Sequence, residues 1–175
     1  MIAVSAAAEI CKTAVVRKIN LEEVEIAYDD GDPAGYEAGA AQLGPLIGAS
    51  ALGGTVYELP AGRSICPYHY EYGCEEWVIV LTGGPTLRHP GGEDILKPGD
   101  VVCFPAGPEG AHKVTNATAE TVRVLFLSDK RRPVVVVYPD SDKIGAWPGD
   151  EGDTIMVRRE SAVDYWDGEA GTGRR

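Results

Sequence analysis

Short apolar or alternating runs, separated by glycine and proline, follow one another along the chain from about residue 43. They occupy 43–49, 54–59, 65–71, 76–82, 85–89, 93–97, 100–105, 111–116, 121–128 and 133–138. Runs of this length with turn residues between them are typical of an all-β sandwich or barrel. The segments His89-Pro90-Gly91-Gly92 and Pro98-Gly99-Asp100 fall between runs and predict tight turns. No helix-length amphipathic segment competes with an all-β fold.

The segments on either side of these runs are less regular. Residues 1–40 contain one short β-type run, Ala14-Val15-Val16, followed by an acidic loop at 29–33. Residues 139–175 combine turn-rich pieces with one β-like run at 154–158. We therefore predict a single domain with an N-terminal extension (1–40), a barrel (41–138) and a C-terminal extension (139–175) that packs on the barrel.

The charge and hydropathy of the chain limit the classes of partner that it can bind. Its 16 basic residues stand against 27 acids, for a net charge of -11, which argues against nucleic acid because phosphate binding needs a basic surface. No run approaches the ~18 apolar residues of a membrane span. The first ten residues lack the basic start of a signal peptide, so a soluble, cytoplasmic protein is predicted.

The four cysteines are Cys11, Cys66, Cys74 and Cys103. They form no C-x-x-C pair and no dense framework, which favours reduced thiols in a cytoplasm over a zinc ribbon or a disulfide scaffold. A Cys66–Cys74 bridge across a bend is the alternative.

Two of the three histidines lie in the middle of this series of predicted strands, at positions 69 and 112. Because residues i and i+2 of a strand face the same side, His69 and Glu71 are expected to project together. A turn follows, and Glu76 begins the next strand, so a second carboxylate can return to the same place. Tyr68, Tyr70, Tyr72 and Glu75 are predicted to face the opposite side. Nitrogen and oxygen donors of this kind suit Mn, Fe, Ni or Zn better than calcium.

These residues resemble the two motifs of the cupin superfamily. The first motif reads G-x5-H-x-H-x3-4-E-x6-G, and Gly62, His69, Glu71, Glu76 and Gly83 follow it, with one extra residue before the histidine and glutamate in place of the second histidine. The second reads G-x5-P-x-G-x2-H-x3-N. It is followed by Gly99, Pro105, Gly107, His112 and Asn116, with four residues instead of two before the histidine. The motifs cover 62–83 and 99–116.

Similarity to cupins implies an all-β, jelly-roll-like barrel of the double-stranded β-helix type, with a metal in its mouth and commonly a homodimer. The expected ligands of a divalent transition metal (Mn, Fe, Zn or Ni) are His69, Glu71, Glu76 and His112. Glu71 would add a second negative charge to the shell and favour the harder Mn or Fe, while Zn stays compatible. Alternatively, Glu71 stands beside the metal as a base or a substrate-binding group.

The function expected from this site is that of a metal-dependent enzyme acting on a small polar metabolite by isomerase, lyase or dioxygenase chemistry. A non-catalytic module that binds a small ligand is the alternative from another class. A third hypothesis is an Fe(II) and 2-oxoglutarate oxygenase with a His69-x-Glu71 and His112 triad, in which Arg123 grips the co-substrate. For Arg123, a cross-strand cation is the simpler interpretation.

Four further residues have simple structural interpretations. Asn116 is expected to stabilise a turn, and His89 to be a solvated turn residue. Trp147 and Trp166, in the C-terminal extension, are expected to be core anchors, or lids over the pocket.

Overall fold

The computed structural model describes residues 16–171. The predicted run Ala14-Val15-Val16 therefore lies outside the described residues except for Val16, as do Cys11 and the first ten residues. The strands are β1 (Gly39–Gln42), β2 (Leu52–Leu59), β3 (Tyr70–Tyr72), β4 (Glu76–Thr82), β5 (Thr86–His89), β6 (Gly92–Ile95), β7 (Val101–Phe104), β8 (Lys113–Thr115), β9 (Val122–Asp129), β10 (Val134–Tyr138), β11 (Lys143–Trp147) and β12 (Ile155–Arg158). One short helix, α1 (Leu43–Ile47), and 3₁₀ turns at Pro108–Gly110, Pro139–Ser141, Glu151–Asp153 and Arg159–Ser161 complete the elements.

The strands form two facing layers, and every named strand pair is antiparallel. The first layer has the order β1-β2-β9-β4-β7. The second consists of two smaller sheets, β12-β11-β10-β3 and β6-β5-β8. Backbone bridges between His69 and His112 and between Ser64 and Thr115 join these two sheets into one layer. The predicted all-β, double-stranded β-helix fold is confirmed.

Strand alternation builds the core between the layers. Along β4, Val78 and Val80 are buried while Ile79 and Leu81 point to the other face of the sheet. The inner cluster comprises Leu59, Val78, Val80, Leu87, Leu96, Phe104, Val114, Val122, Val124 and Phe126. It fills the barrel below the mouth, so the residues of the mouth stand on a closely packed base.

The outer face of the first layer carries a second apolar cluster. Its buried members are Ala41, Leu43, Val56 and Leu125. Ile19, Leu21, Val24 and Ile26 of the N-terminal segment pack against them, so the chain before β1 covers part of this face. The segment returns through a backbone bridge between Ala27 and Ala40, which sets it alongside β1.

One predicted β-type run is a helix in the structure. The run at 43–49 contains α1 (Leu43–Ile47), whose C-cap is Gly48 in the left-handed conformation, with φ 74°. The Gly48 N–H donates to the carbonyl of Gly44, which closes the helix. A short apolar run does not distinguish a strand from a buried helical turn, and here the glycine at the C-cap decides the outcome.

The C-terminal segment extends the second layer. Strand β11 pairs with β10 along its whole length, and β12 pairs with β11 at the edge of that layer. In residues 16–171, no helix has the length and apolar character that a membrane crossing requires.

Candidate metal centre

Backbone hydrogen bonds join the two buried histidines across the seam of the second layer, which is the line where its two smaller sheets meet. The His69 N–H donates to the His112 carbonyl at 3.1 Å, and the His112 N–H donates to the His69 carbonyl at 2.8 Å. Residues paired in this way place their side chains on the same face of a sheet. The two imidazole centroids accordingly lie 4.6 Å apart inside the barrel.

Glu76 reaches the same point from the facing layer. It is the first residue of β4, where it stands opposite Phe104 of β7 and Ser128 of β9. Its Oε2 lies 3.8 Å from His69 Nε2 and 3.6 Å from His112 Nε2. Both layers of the barrel therefore contribute side chains to one cluster at its mouth.

Backbone carbonyls fix the orientation of both imidazoles. His69 Nδ1 lies 3.0 Å from the Pro67 carbonyl, and His112 Nδ1 lies 2.9 Å from the Gly110 carbonyl. A carbonyl can only accept a hydrogen bond, so each Nδ1 carries the proton and each Nε2 keeps a lone pair directed at Glu76. Phe104 stacks on the His112 ring at 3.7 Å between centroids and holds that ring in place.

The electrostatics of the cluster favour neutral imidazoles. Burial, reinforced by the neighbouring His69, lowers the pKa of His112 to about 3, and burial also lowers the pKa of His69. Burial, reinforced by the Glu71 carboxylate, raises the pKa of Glu76 to about 8. Two neutral imidazoles and a buried carboxylate whose charge is not fully compensated therefore lie at one point. A bound cation there would stabilise the charged form of the carboxylate.

The donor set fits a divalent metal ion. One ligand atom from each of His69, Glu76 and His112 lies within 4.8 Å of the others. His112 Nε2 is buried and has no hydrogen-bond partner among the described residues. A buried polar atom without a partner is costly, and a metal–nitrogen bond would satisfy it. Two imidazoles and a carboxylate are typical ligands of transition metals.

Glu71 lies at the wall of the same mouth but outside this three-residue group. It lines two adjoining cavities together with His69 and Glu76, as the i and i+2 spacing predicted. Its charge acts on the cluster, since it contributes to the raised pKa of Glu76. Its role as a fourth ligand stays a prediction, and its position equally suits a base beside the metal.

The mouth consists of two adjoining cavities of about 280 and 250 Å³. Their walls share His69, Glu71, Glu76 and Ser128. Sequence reasoning missed Ser128, Tyr57, Cys66 and Tyr138, which line these cavities. Ser128 is adjacent to the site because it stands opposite Glu76 in the β4–β9 pair, and no local signal in the sequence reveals that register.

A 3₁₀ turn explains the two extra residues before His112. Pro108–Gly110 forms this turn directly after Gly107, whose φ is 97°. A side chain on Gly110 would begin 1.9 Å from the Pro105 carbonyl oxygen, so only glycine fits there. The turn thus absorbs the longer loop and still places the Gly110 carbonyl against His112 Nδ1.

Comparison with known proteins agrees with the fold and the motifs. Residues 55–128, which contain both motifs, match the family model described as cupin domain. Residues 55–128 of the chain are therefore a cupin domain. No curated protein is similar enough in sequence to count as a match.

Several solved cupin-like structures resemble the chain. A putative sugar phosphate isomerase from Acidithiobacillus ferrooxidans is 27% identical, with a TM-score of 0.68 over 74% of this chain and 81% of its own. A sugar phosphate isomerase from a cupin superfamily, from Silicibacter pomeroyi, is 24% identical, with a TM-score of 0.73 over 86% and 98%. The polyketide cyclase RemF from Streptomyces resistomycificus is 24% identical, with a TM-score of 0.56 over 69% and 84%.

Arg123 has no access to the cupin mouth. It stands opposite Glu58 in the β2–β9 pair, and its Nε lies 3.5 Å from Glu58 Oε2. It also donates to the Glu22 carbonyl and lines a groove on the outer face of the first layer. The cross-strand interpretation of Arg123 is confirmed, and this arginine cannot grip a co-substrate beside His69 and His112.

Asn116 and His89 have the structural roles that were expected. The buried Asn116 amide donates to the carbonyls of Leu59 and Glu120, and its oxygen accepts the Thr118 N–H. His89, at the β5–β6 hairpin, lies 3.1 Å from Asp94 and accepts the Gly91 N–H. Neither residue takes part in the cluster at the mouth.

The remaining predicted residues lie at the mouth, on the outer surface or in the C-terminal extension. Glu75 accepts a hydrogen bond from Trp77 and faces outward, away from Glu76. Trp147 lines one cavity of the mouth, whereas Trp166 is 71% exposed. The rings of Tyr70 and Tyr72 are in edge contact, whereas Tyr68 is buried with the Arg88 guanidinium over its ring. The three cysteines within the described residues, Cys66, Cys74 and Cys103, are free thiols.

Proposed function

We propose that this cupin is a metal-dependent enzyme that isomerises a small polar metabolite carrying adjacent hydroxyl and carbonyl groups. The observation that carries the proposal is the cluster of two oriented imidazoles and one carboxylate, which opens into a cavity that Glu71 also lines. The 27% identity with a structure described as a putative sugar phosphate isomerase supports the same class of reaction.

His69, Glu76 and His112 would hold the ion, which we propose to be Mn, Fe, Zn or Ni. Such an ion supplies Lewis-acid polarisation of a substrate oxygen. The two backbone carbonyls at Pro67 and Gly110 keep the imidazoles in the tautomer that binds it.

Glu71 is the residue best placed to move a proton. Its carboxylate would take the proton from the carbon that bears the hydroxyl group and return it to the former carbonyl carbon, while the hydroxyl proton passes to the former carbonyl oxygen. No proton is then gained or lost overall. In this proposal Glu71 stands beside the ligands, which leaves its oxygens free for this task. Tyr57 and Tyr138, whose side chains line the mouth, are available to orient substrate hydroxyl groups.

Solvent deuterium incorporation tests this proposal. The protein, loaded in turn with each of the four metals, is incubated in D₂O with a panel of aldoses and ketoses and their phosphate esters, and ¹H NMR follows exchange at the carbon beside the carbonyl. We expect metal-dependent exchange that falls by at least about 100-fold in Glu71→Gln, the loss typical of a general base. Glu75→Gln, four residues further along the chain and exposed on the outer face, is the matched control.

Two results would count against the proposal. Dioxygen uptake by the Fe(II)-loaded protein would favour an oxygenase. Tight substrate binding without any exchange would favour the non-catalytic module. The homodimer that the resemblance implies stays a prediction, which light scattering on the purified protein tests.

A further inference from the structure

A third cavity, of about 230 Å³, adjoins the mouth at its rim. Ser128 lines this rim cavity and both cavities of the mouth, while Asp129 and Arg132 line the rim cavity and one of the two. Because the walls are shared, one small molecule could reach from the metal centre to the rim. The rim cavity also contains Lys130.

Basic side chains dominate the rim, although the protein as a whole carries a net charge of -11. Asp129 is the acid among the residues that line the rim cavity; its Oδ2 lies 3.0 Å from Arg131 Nε, while its Oδ1 is buried without a hydrogen-bond partner among the described residues. Within residues 16–171, neither Lys130 nor Arg132 forms an ion pair. Two uncompensated cations therefore face one cavity beside an otherwise acidic site.

Glycines keep this cavity open. A side chain on Gly53 would begin 3.1 Å from Ser128 Oγ and 3.6 Å from Lys130 Cγ, and one on Gly44 would begin 3.9 Å from Lys130 Nζ. The space between the serine hydroxyl and the lysine stem is thus left free by the absence of a Cβ. Hydroxyl, ammonium and guanidinium donors around an open space are the groups that bind phosphate oxygens.

We propose that Lys130, Arg132 and Ser128 form a phosphate subsite at the rim, which takes the phosphate group of a substrate whose reacting end lies at His69, Glu76 and His112. The assignment of the reacting end rests on the proposed function, whereas the phosphate subsite does not. A phosphate dianion engages both cations and the hydroxyl together, which a carboxylate with two oxygens and a single charge does less completely.

Titration of inorganic phosphate tests the subsite directly. Chelator-treated protein is used, so that phosphate cannot bind to a metal, and ¹H–¹⁵N chemical shifts report both the affinity and the location. We expect the largest shifts at Gly53, Ser128 and Lys130. The double variant Lys130→Ala/Arg132→Ala should bind at least about tenfold more weakly, as expected when charged hydrogen bonds are lost.

Matched variants separate a built site from general attraction. Lys97→Ala removes an exposed lysine from a turn that does not line the rim, and it should leave the affinity unchanged. Arg132→Lys should restore part of what Arg132→Ala loses. His112→Ala, which removes a metal ligand, should bind phosphate like the wild type.

Three results would overturn the phosphate subsite. They are equal affinity of the double variant and the wild type, an equal loss in Lys97→Ala, and acetate binding as tightly as phosphate. Failure of the proposed isomerase has a different signature, because chelator-treated protein would then still bind phosphate at the rim while no metal supports deuterium exchange.

Discussion

The molecule has two hollows of opposite character on the two faces of its first layer. The outer groove, under the N-terminal segment, has a volume of about 1070 Å³ and is lined by residues such as Ile19, Leu21 and Leu81. The two cavities of the mouth, of about 280 and 250 Å³, are each much smaller, yet the first of them is lined by both buried histidines. Size alone would select the outer groove as the functional site.

The side chains that line the two hollows indicate the mouth instead. In the outer groove, Arg123 Nε makes no hydrogen bond within residues 16–171 but lies 3.5 Å from the Glu58 carboxylate, and the apolar residues belong to a cluster that the N-terminal segment partly covers. In the mouth, His112 Nε2 has no partner among the described residues, and Glu76 is a carboxylate whose pKa burial raises to about 8. A ligand site is indicated by donor atoms that point to one place and lack partners, and not by the volume of a cavity.

The largest expected effect is on metal content. His112→Ala removes an imidazole nitrogen from the mouth, and the metal bound per protein chain should fall from about one to near zero. His89→Ala is the matched control, because that histidine pairs with Asp94 on a hairpin outside the mouth. Inductively coupled plasma mass spectrometry of protein purified without added metal measures both. If the wild-type protein carries no stoichiometric transition metal, the mouth is not a metal site and does not differ from the groove in this respect.

Gly110→Ala should be the most destabilising change near the mouth. A Cβ at this position overlaps the Pro105 carbonyl oxygen, so the turn that positions His112 must distort, and the free energy of unfolding should fall by about 3 kcal/mol. Metal content should fall as well. Gly171→Ala, where nothing lies within 4 Å, should change stability by less than about 0.5 kcal/mol in urea denaturation. Equal stability of the two variants would refute the close approach at Gly110.

Removal of the metal should destabilise the wild type by a comparable amount. An ion present at about 100 times its dissociation constant stabilises the native state by about 2.7 kcal/mol, so treatment with a chelator should lower the melting temperature by about 5–10 °C. Differential scanning calorimetry measures the shift. His112→Ala should show no response to the chelator, and a response of the same size in that variant would place the ion elsewhere.

The smallest effect belongs to the outer groove. Arg123→Ala breaks a partly exposed ion pair and should cost about 1 kcal/mol, with no change in metal content. A double-mutant cycle with Glu58→Ala isolates the coupling between the two side chains. Loss of metal in Arg123→Ala would show instead that the groove and the mouth are energetically linked.

Local sequence pattern was sufficient for much of this molecule. The run at 76–82 coincides with β4, and the hairpin at 89–92 joins β5 to β6 as predicted. The i and i+2 rule correctly put His69 and Glu71 on the same side. These predictions succeed because strand alternation and turn chemistry act within a few residues.

Features that depend on long-range pairing could not be predicted in this way. The reciprocal bonds between His69 and His112 join residues far apart in sequence, and Ser128 reaches the mouth only through its register against Glu76. The rim cations Lys130 and Arg132 lie in a basic run that periodicity does not flag. The short helix at 43–47 was missed because its apolar run fits either structure.

The backbone pairing of His69 with His112 has a consequence for how such a site can change over evolution. A shift of either strand by one residue would turn its histidine to the outer face and break the seam that joins the two halves of the layer. The two ligands are therefore inherited with the topology as a unit. A descendant can lose metal binding by replacing a side chain, but it cannot move the site along these strands without rebuilding the barrel.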